Sequence, residues 1–578
     1  MVILGISCWY HDAAATLLID GRIAAAAAEE RFTRIKHDNA FPTRAVEWCL
    51  SWVGLSINDI DMVVFYEKPI IKFDRLMRQH IAGFPRTRKM FTDTIGSWFD
   101  SRLEMKKVLK REIEYTGELS YVRHHEAHMA SSYFLSPFFD AVLLSLDGVG
   151  EWATTMTGLA KGKTIRLEKE IRFPHSLGLL YSTITSFLGF SVNESEYKVM
   201  GLAAFGDPGA FREQFRTLVQ TNADGSFALN MKYFDFVAGE RMYTQEMSEL
   251  FGVAPRRAND RMKSVYENIA AGLQERLEEI VILLLRKLYV QYKIPRLCLS
   301  GGVALNSVLN GKITKNTPFT DILIPPDPGD GGASMGAALF YWNSLHKRKS
   351  EVSFSPYLGP SFADEQIEEM LKLSGLLYRK LSRESLLDAV STALKNKKVV
   401  GWFQGRMEWG PRALGNRSIL ASPLDGNMKE LINKKVKHRE PFRPFAPVVR
   451  IEDVNKYFEA PRKRSRPEEW MLEVYPFSEE GKKSAPATVH VDGTGRLQSV
   501  RRESNPLYFD LITAFGEKTG IPILLNTSFN VAGEPIVCTP KDALSCFLGT
   551  GIDILVLGRY IVRKNTTNPT NTTNTTNE

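Results

Sequence analysis

The chain opens on two short apolar runs, Val2 to Ser7 and Ala14 to Ile19, both β-prone and read as buried strands. Asp20-Gly21 follows. It suits a type I′ hairpin turn, whose two central residues take positive φ, and Arg22 to Ala28 reads as the returning strand. The pattern recurs at Ala141 to Leu146, a turn at Asp147-Gly148-Val149-Gly150, Ala153 to Leu159, a turn at Lys161-Gly162, and Ile165 to Ile171. Two hairpin units, each leading into a helical region, predict an internal duplication. From Lys263 to Lys293 the apolar positions Val265, Ile269, Leu273, Leu277, Ile280 and Leu284 fall at helical spacing. A strand at Leu297 to Leu299 then runs into Ser300-Gly301-Gly302 and another helix. Glycines there let a ligand approach the backbone, and a helix N-terminus favours anions.

Between the two units, residues 43–115 read as helical and basic. Lys68, Lys72, Arg75, Arg78, Arg86, Arg88 and Lys89 are expected on a solvated helical face. Acidic residues interleave and no nucleic-acid motif occurs, so a nucleic-acid surface is the weaker reading. The basic, Ser-, Pro- and Gly-rich stretch at 345–361 marks a boundary. This divides the chain into an N-terminal domain (1–350), an α/β domain (362–563) and an Asn/Thr-rich tail (564–578) expected to be disordered.

Composition narrows the class. The chain has 578 residues, 44% hydrophobic and 24% charged, which excludes disorder throughout and a disulfide-stapled miniprotein. Cys8, Cys49, Cys298, Cys538 and Cys546 form no CxxC pair, so cysteine-held zinc is not expected and a reducing compartment is. The N-terminus lacks a basic n-region and no apolar stretch is long enough to span a bilayer. The expected location is the cytoplasm, with neither membrane nor nucleic acid as a partner. The net charge of +8 is a mild excess over a large surface.

Three constellations carry chemistry. In Arg123-His124-His125-Glu126-Ala127-His128, His124 and His128 are spaced i, i+4 and share one helix face, where they can bind one metal ion. Asp147 and Asp330 are the candidate further ligands. A set of two His with carboxylate suits Fe(II), Mn(II) or Zn(II). In Glu196-Tyr197-Lys198-Val199-Met200-Gly201, Lys198 can pair a phosphate and Gly201 can admit a ligand. In the C-terminal part, Arg406, Arg412, Arg417, Lys434, Lys435, Lys437, Arg439 and Arg443 sit in frames rich in Gly, Pro and aromatics. Arg496, Gln498 and the run Leu525 to Pro535 follow. Forked guanidiniums suit phosphate or carboxylate, so this part reads as a pocket for a phosphorylated small molecule or nucleotide.

The chain resembles the O-carbamoyltransferases of nodulation-factor and antibiotic tailoring, from Ile3 to Val562. The marks are His11-Asp12-Ala13-Ala14, Glu29-Glu30-Arg31-Phe32 with Lys36-His37-Asp38, HHEAH, LDGVGEW, EYKVMGLAAFG, SGGVALN and GDGGASMGAA, then GRMEWGPRALGNRSILASP, HREPFRPFAP and LNTSFNVAGEPIV. The resemblance implies an α/β protein. Its N-terminal part would be a duplicated actin-like (ASKHA) domain similar to the tRNA threonylcarbamoyl transferase subunit. Its C-terminal α/β domain would resemble threonylcarbamoyl-adenylate synthase. It further implies that the C-terminal site makes carbamoyl-adenylate from carbamoyl phosphate and ATP with Mg2+. The N-terminal site, with iron or another divalent metal, would then pass the carbamoyl group to an acceptor hydroxyl.

In these terms Arg412, Arg443, Arg496 and Ser528 match the adenylate-forming site, with Lys437 and Arg439 as phosphate neighbours. His124, His128, Asp147 and Asp330 match the metal ligands. Lys198, Gly301, Gly302 and Asn306 match a nucleotide cradle, and His11 is the expected base. The expected partners are carbamoyl phosphate and a small-molecule hydroxyl acceptor, with guanidinium alkaloids of the saxitoxin type as one option. A homodimer is a further option. Two rivals predict different assays. A tRNA-modifying enzyme would bind tRNA, and a non-enzymatic actin-fold scaffold would bind ATP without using carbamoyl phosphate.

Overall fold

The computed structural model describes residues 1–98, 102–236, 241–350, 354–440, 442–461 and 466–564. The expected disordered tail lies outside them, apart from its first residue. Strands β1 (Val2–Ser7), β2 (Ala14–Ile19), β3 (Arg22–Ala28), β4 (Met62–Phe65) and β5 (Leu119–Tyr121) form a sheet in the order β3-β2-β1-β4-β5. Strands β6 (Asp140–Leu146), β7 (Ala153–Lys161), β8 (Thr164–Arg172), β9 (Arg296–Ser300) and β10 (Asp321–Leu323) repeat it as β8-β7-β6-β9-β10. In each, an antiparallel hairpin pair is followed by parallel pairing of the first strand to a later one. The duplication expected from the hairpins is thus present in the strand order. The Asp20-Gly21 turn has φ of 47° and 79°, as type I′ demands.

Helices cover the two sheets. In chain order they include α1 (Pro69–Ala82), α2 (His124–Tyr133), α3 (Glu196–Leu202), α4 (Ser264–Tyr292), α5 (Ser307–Asn316) and α6 (Asp330–Leu345). The long α4 buries Ile269, Leu273, Leu277 and Ile280, the stripe its spacing predicts. No helix among the described residues is long and apolar enough to cross a membrane.

One expectation fails in α1. Lys72 and Arg75 do not face solvent; they are only 3% and 4% exposed, and His80 is buried beside them. Ile70 and Ile81 point outward instead, at 76% exposure each. The physical reason is Glu67, itself buried just before α1, whose carboxylate draws the Lys72 ammonium in to 2.6 Å. Arg78 and Arg86 do reach solvent, paired with Asp74 and Asp235.

The C-terminal part is built on one mixed eight-stranded sheet. Its strands are β11 (Tyr378–Lys380), β12 (Val400–Phe403), β13 (Arg417–Ala421), β14 (Ala446–Arg450), β15 (Gln498–Val500), β16 (Ile523–Ser528), β17 (Ile554–Leu557) and β18 (Tyr560–Arg563). The order is β11-β18-β17-β12-β13-β16-β14-β15. Alternate residues feed two apolar layers: Phe403, Leu525 and Leu555 on one face, Trp402, Leu524 and Val556 on the other. The two parts are packed together. Trp409, Leu414 and Trp470 join the N-terminal core, and Arg31 and Arg34 donate to the carbonyls of Gly410, Pro535 and Ile536. Residues 354–360 already pair with the C-terminal loop at Met407 and Trp409.

Candidate functional site

Close helix packing assembles the first cluster. A Cβ on Gly336 of α6 would overlap the Ala127 carbonyl of α2, so only glycine lets the two helices touch there. That contact brings Asp330, the first residue of α6, onto the face of α2 that carries His124 and His128. Asp147 comes in from the turn after β6. His124 Nε2 lies 3.0 Å from Asp147 Oδ2 and 3.0 Å from His128 Nε2, and Asp330 Oδ1 lies 3.4 Å from His128 Nε2. All four side chains are buried, with one donor atom from each within 4.8 Å of the others.

The charges are tuned against each other. Burial opposes protonation of His124, but Asp147 and Asp330 outweigh it and push its imidazole up to about 9. Burial works against the Asp147 anion too, yet the histidines hold it well below the usual carboxylate range. His128 Nδ1, His124 Nδ1 and Asp330 Oδ2 are buried with no hydrogen-bond partner. Two imidazoles and two carboxylates converging with spare donor atoms fit a divalent cation. His125, the remaining histidine of the run, is a strut. It bonds Ser145 Oγ and the Ala153 carbonyl, and burial beside His124 and His128 depresses it to about 3.

The glycine pair sits beside this cluster. Gly301 takes φ of 88° where the chain passes tightly over the Leu146 carbonyl, and the Gly302 N–H donates to Asp147 Oδ1 at 2.9 Å. Asn306 is not free for a ligand, contrary to expectation. Its side chain caps α5 through Leu309 N–H and exchanges two hydrogen bonds with Gln274.

The second cluster is basic. Arg412, Arg439, Arg443 and Arg496 converge beside Tyr197 of α3, with Arg443 stacked 4.8 Å over its ring. Burial lowers Arg412, and Arg443 adds to the effect. Burial lowers Arg439 to about 9, again with Arg443 adding. Burial and then the other three guanidiniums drive Arg496 well down. The Nε atoms of Arg412 and Arg496 are buried without partners. Glu440 is the carboxylate at this cluster, 3.5 Å from Arg443, and Lys198 claims it at 2.9 Å. Four crowded guanidiniums with little compensating charge make an anion site. The loop that presents Arg412 is wound round Glu408, whose Oε1 accepts the N–H groups of Leu414, Asn416 and Arg417.

Two further expectations change. Lys437 is spent on the fold: its ammonium donates to the Ser528 and Asn530 carbonyls and to Asn530 Oδ1, and Ser528 Oγ bonds Asn530 as well. Burial drives that lysine well down. His11 is not placed as a base. Its Nδ1 lies 2.7 Å from Asp12 Oδ2 and its Nε2 lies 2.5 Å from the Asn193 carbonyl. Burial opposes the charge, but Asp12 and that carbonyl push His11 up to about 10. Both nitrogens donate, so no lone pair is left. His37, absent from the expected site, takes the other oxygen of Asp12 through Nδ1 at 2.8 Å.

One segment joins everything. Asn193 meets His11, and Glu196 accepts from Ser182 Oγ and from Asn193 N–H. Tyr197 and Lys198 then face the arginines, and a Cβ added at Gly201 would just reach Pro444. Tyr197, Asp12 and His37 all lie inside sequence runs noted above. What the sequence did not signal is that Asp12 joins His11 to His37, and that Tyr197 lies under Arg443.

The carbamoyltransferase N-terminus family model matches residues 2–339, and the carbamoyltransferase C-terminus model matches residues 391–564. The chain is 43% identical to an uncharacterized protein of Synechocystis sp., over 97% of this chain and 96% of that one. It is 37% identical to nodulation protein NolNO of Sinorhizobium fredii, over 97% and 80%. It is 33% identical to the 3'-hydroxymethylcephem-O-carbamoyltransferase of Amycolatopsis lactamdurans, over 45% and 48%.

Proposed function

The chain belongs to the carbamoyltransferase family, and from that premise we propose that it is an ATP-dependent O-carbamoyltransferase with two connected sites. The arginine cluster is the observation that carries this reading, because so much guanidinium beside Lys198 suits several phosphates at once. There Arg412, Arg439, Arg443 and Arg496 bind carbamoyl phosphate and ATP with its Mg2+. Carbamoyl phosphate loses its phosphate to water. The freed carbamate oxygen attacks the α-phosphorus of ATP, pyrophosphate leaves, and carbamoyl-adenylate results. The arginines offset the crowded negative charge and align the reactants. The shared strand order of the two N-terminal sheets supports an actin-like module, and adenylate formation is assigned to the C-terminal part because it supplies the four arginines.

Transfer is assigned to the His/Asp cluster. His124, His128, Asp147 and Asp330 would hold a divalent metal, Fe(II) among the candidates. Such an ion supplies Lewis acidity towards phosphate and carbamoyl oxygens. Gly301 and Gly302 let the adenylate approach the backbone. The acceptor hydroxyl attacks the carbamoyl carbon and AMP leaves. Its proton goes to His37 rather than His11. Asp12 lies 2.8 Å from His37 Nδ1 and orients the ring, and Nε2 is the atom assigned to take the proton. The acceptor is a small-molecule hydroxyl.

The test is pyrophosphate release from ATP by metal-loaded protein, with and without carbamoyl phosphate. Release that requires carbamoyl phosphate is expected. ATP binding with no such release would overturn the reading and favour a scaffold.

A further inference from the structure

Helix α1 is turned inside out, and that needs a cause. It buries Lys72, Arg75 and His80 and shows Ile70 and Ile81 to solvent. Lys72 is accounted for by Glu67 at 2.6 Å. Arg75 is not. Among the described residues it has no carboxylate within 4.0 Å, and its Nε and Nη1 are buried without a hydrogen-bond partner. Its guanidinium lies 5.5 Å over the Phe173 ring. A buried, unpartnered cation is costly unless something meets it.

Its position says what that is. The acids that act on Arg75 are Glu67 and Glu151, and the neutral Tyr10 phenol lies with them. Tyr10 in turn feels Asp147 and Asp330. Glu151 Oε1 accepts the His124 and Lys68 N–H groups, each at 2.9 Å, at the start of α2. The starts of α1 and α2 are thus tied to one carboxylate, which puts Arg75 on the metal-cluster side of the molecule, over half-buried Phe173. The Glu67 carboxylate is drawn to Lys72 and Glu151 Oε1 accepts two backbone N–H groups, so neither acid hydrogen-bonds Arg75. What remains is a buried guanidinium with unpartnered N–H groups next to the place of transfer.

We propose that Arg75 binds an anionic oxygen group of the acceptor, a carboxylate in the simplest case, and so selects acidic over cationic hydroxyl compounds. This deepens the carbamoyl-transfer reading and rests on it. The same oxyanion chemistry could come from the donor's phosphate, but the donor already has four arginines of its own.

The test uses the full metal-loaded chain with ATP present to fill the arginine cluster. Binding of glycolate, ethylene glycol and ethanolamine, which are acidic, neutral and cationic hydroxyl probes, is read by ligand-observed NMR. Glycolate should bind tightest, roughly 10- to 100-fold above ethylene glycol, as a charged hydrogen-bonded pair provides. Arg75→Gln should erase that preference, and Arg75→Lys, which keeps the charge, should retain part of it. Carbamoyl-phosphate-dependent pyrophosphate release should stay within twofold in both variants. Equal binding of glycolate and ethylene glycol by the native chain overturns the proposal, as does a preference that survives in Arg75→Gln. A raised KM for carbamoyl phosphate in Arg75→Gln would assign the arginine to the donor instead. Failure of pyrophosphate release in the native chain would sink the two-site mechanism while leaving the glycolate preference readable.

Discussion

The His/Asp cluster and the arginine cluster solve opposite problems. In the first, His124 and Asp147 hold each other in their charged forms against burial, with Asp330 adding to the pull on His124. In the second, burial and then neighbouring guanidiniums lower Arg412, Arg439 and Arg496, so the group is unbalanced until an anion arrives. The direction of the shifts thus separates a place for a cation from a place for polyanions. It also matches the two proposed half-reactions, which gives the comparison its tests.

The largest expected effect is His128→Ala. It should lower transfer to an acceptor by about three orders of magnitude, since a bound Lewis acid is worth several kcal/mol. Carbamoyl-phosphate-dependent pyrophosphate release should stay within about threefold. Product mass and released pyrophosphate, measured on one preparation, decide it. Simultaneous loss of both would break the division between clusters. Arg496→Ala should do the reverse, cutting pyrophosphate release about 10²- to 10³-fold, as loss of one charge-stabilising donor does. Metal content, read by elemental analysis, should be unchanged.

A smaller effect, about 10²-fold on transfer, is expected from His37→Gln, the usual scale of a general base. His11→Gln should cost less, because His11 has no lone pair to offer. If His11→Gln proves the worse variant for transfer, the base belongs to His11 and the assignment reverses.

How much of this was legible in the sequence depended on range. The hairpin units and the α4 stripe follow from local spacing, and the i, i+4 histidines share a face on any helix. Asp147 and Asp330 could be named because a cluster of histidines asks for carboxylates, although 183 positions separate the two in the chain. The failures were residues whose side chains are spent on the fold. Asn306 and Lys437 are polar residues in glycine-rich or basic runs, and only tertiary contacts show that a helix cap and two carbonyls consume them. The inward turn of α1 was illegible for the converse reason. A helix with cations inside has the periodicity of a surface helix rotated by half a turn.

Lys198 of α3 and Glu440 join the N-terminal and C-terminal parts directly at the arginine cluster, at 2.9 Å and partly buried. A double-mutant cycle with Lys198→Met and Glu440→Gln should return a coupling near 1 kcal/mol in stability. Pyrophosphate release and transfer should each fall only a few-fold. A much larger fall in transfer than in pyrophosphate release would mean that this bridge controls passage of the adenylate rather than merely fastening α3 to the arginines.

The smallest effect on rate, and the one with a sign to check, is the His11–Asp12 pair. His11 stands at about 10 in the folded protein, above its ordinary 6.5. The folded state therefore binds more protons than the unfolded state between those values, and stability falls as pH rises through that window. The stabilisation is fully present below pH 6.5 and is gone above about 10. Asp12 is held low, with burial outweighed by His11 and His37, so its share is lost only in acid. His11→Gln should accordingly melt in urea earlier than the native protein at pH 6, with the difference shrinking as pH climbs towards 10. The His11 ring signals in NMR should remain those of an imidazolium through pH 8. A neutral ring at pH 8 would return the lone pair to His11 and reopen its role as the base.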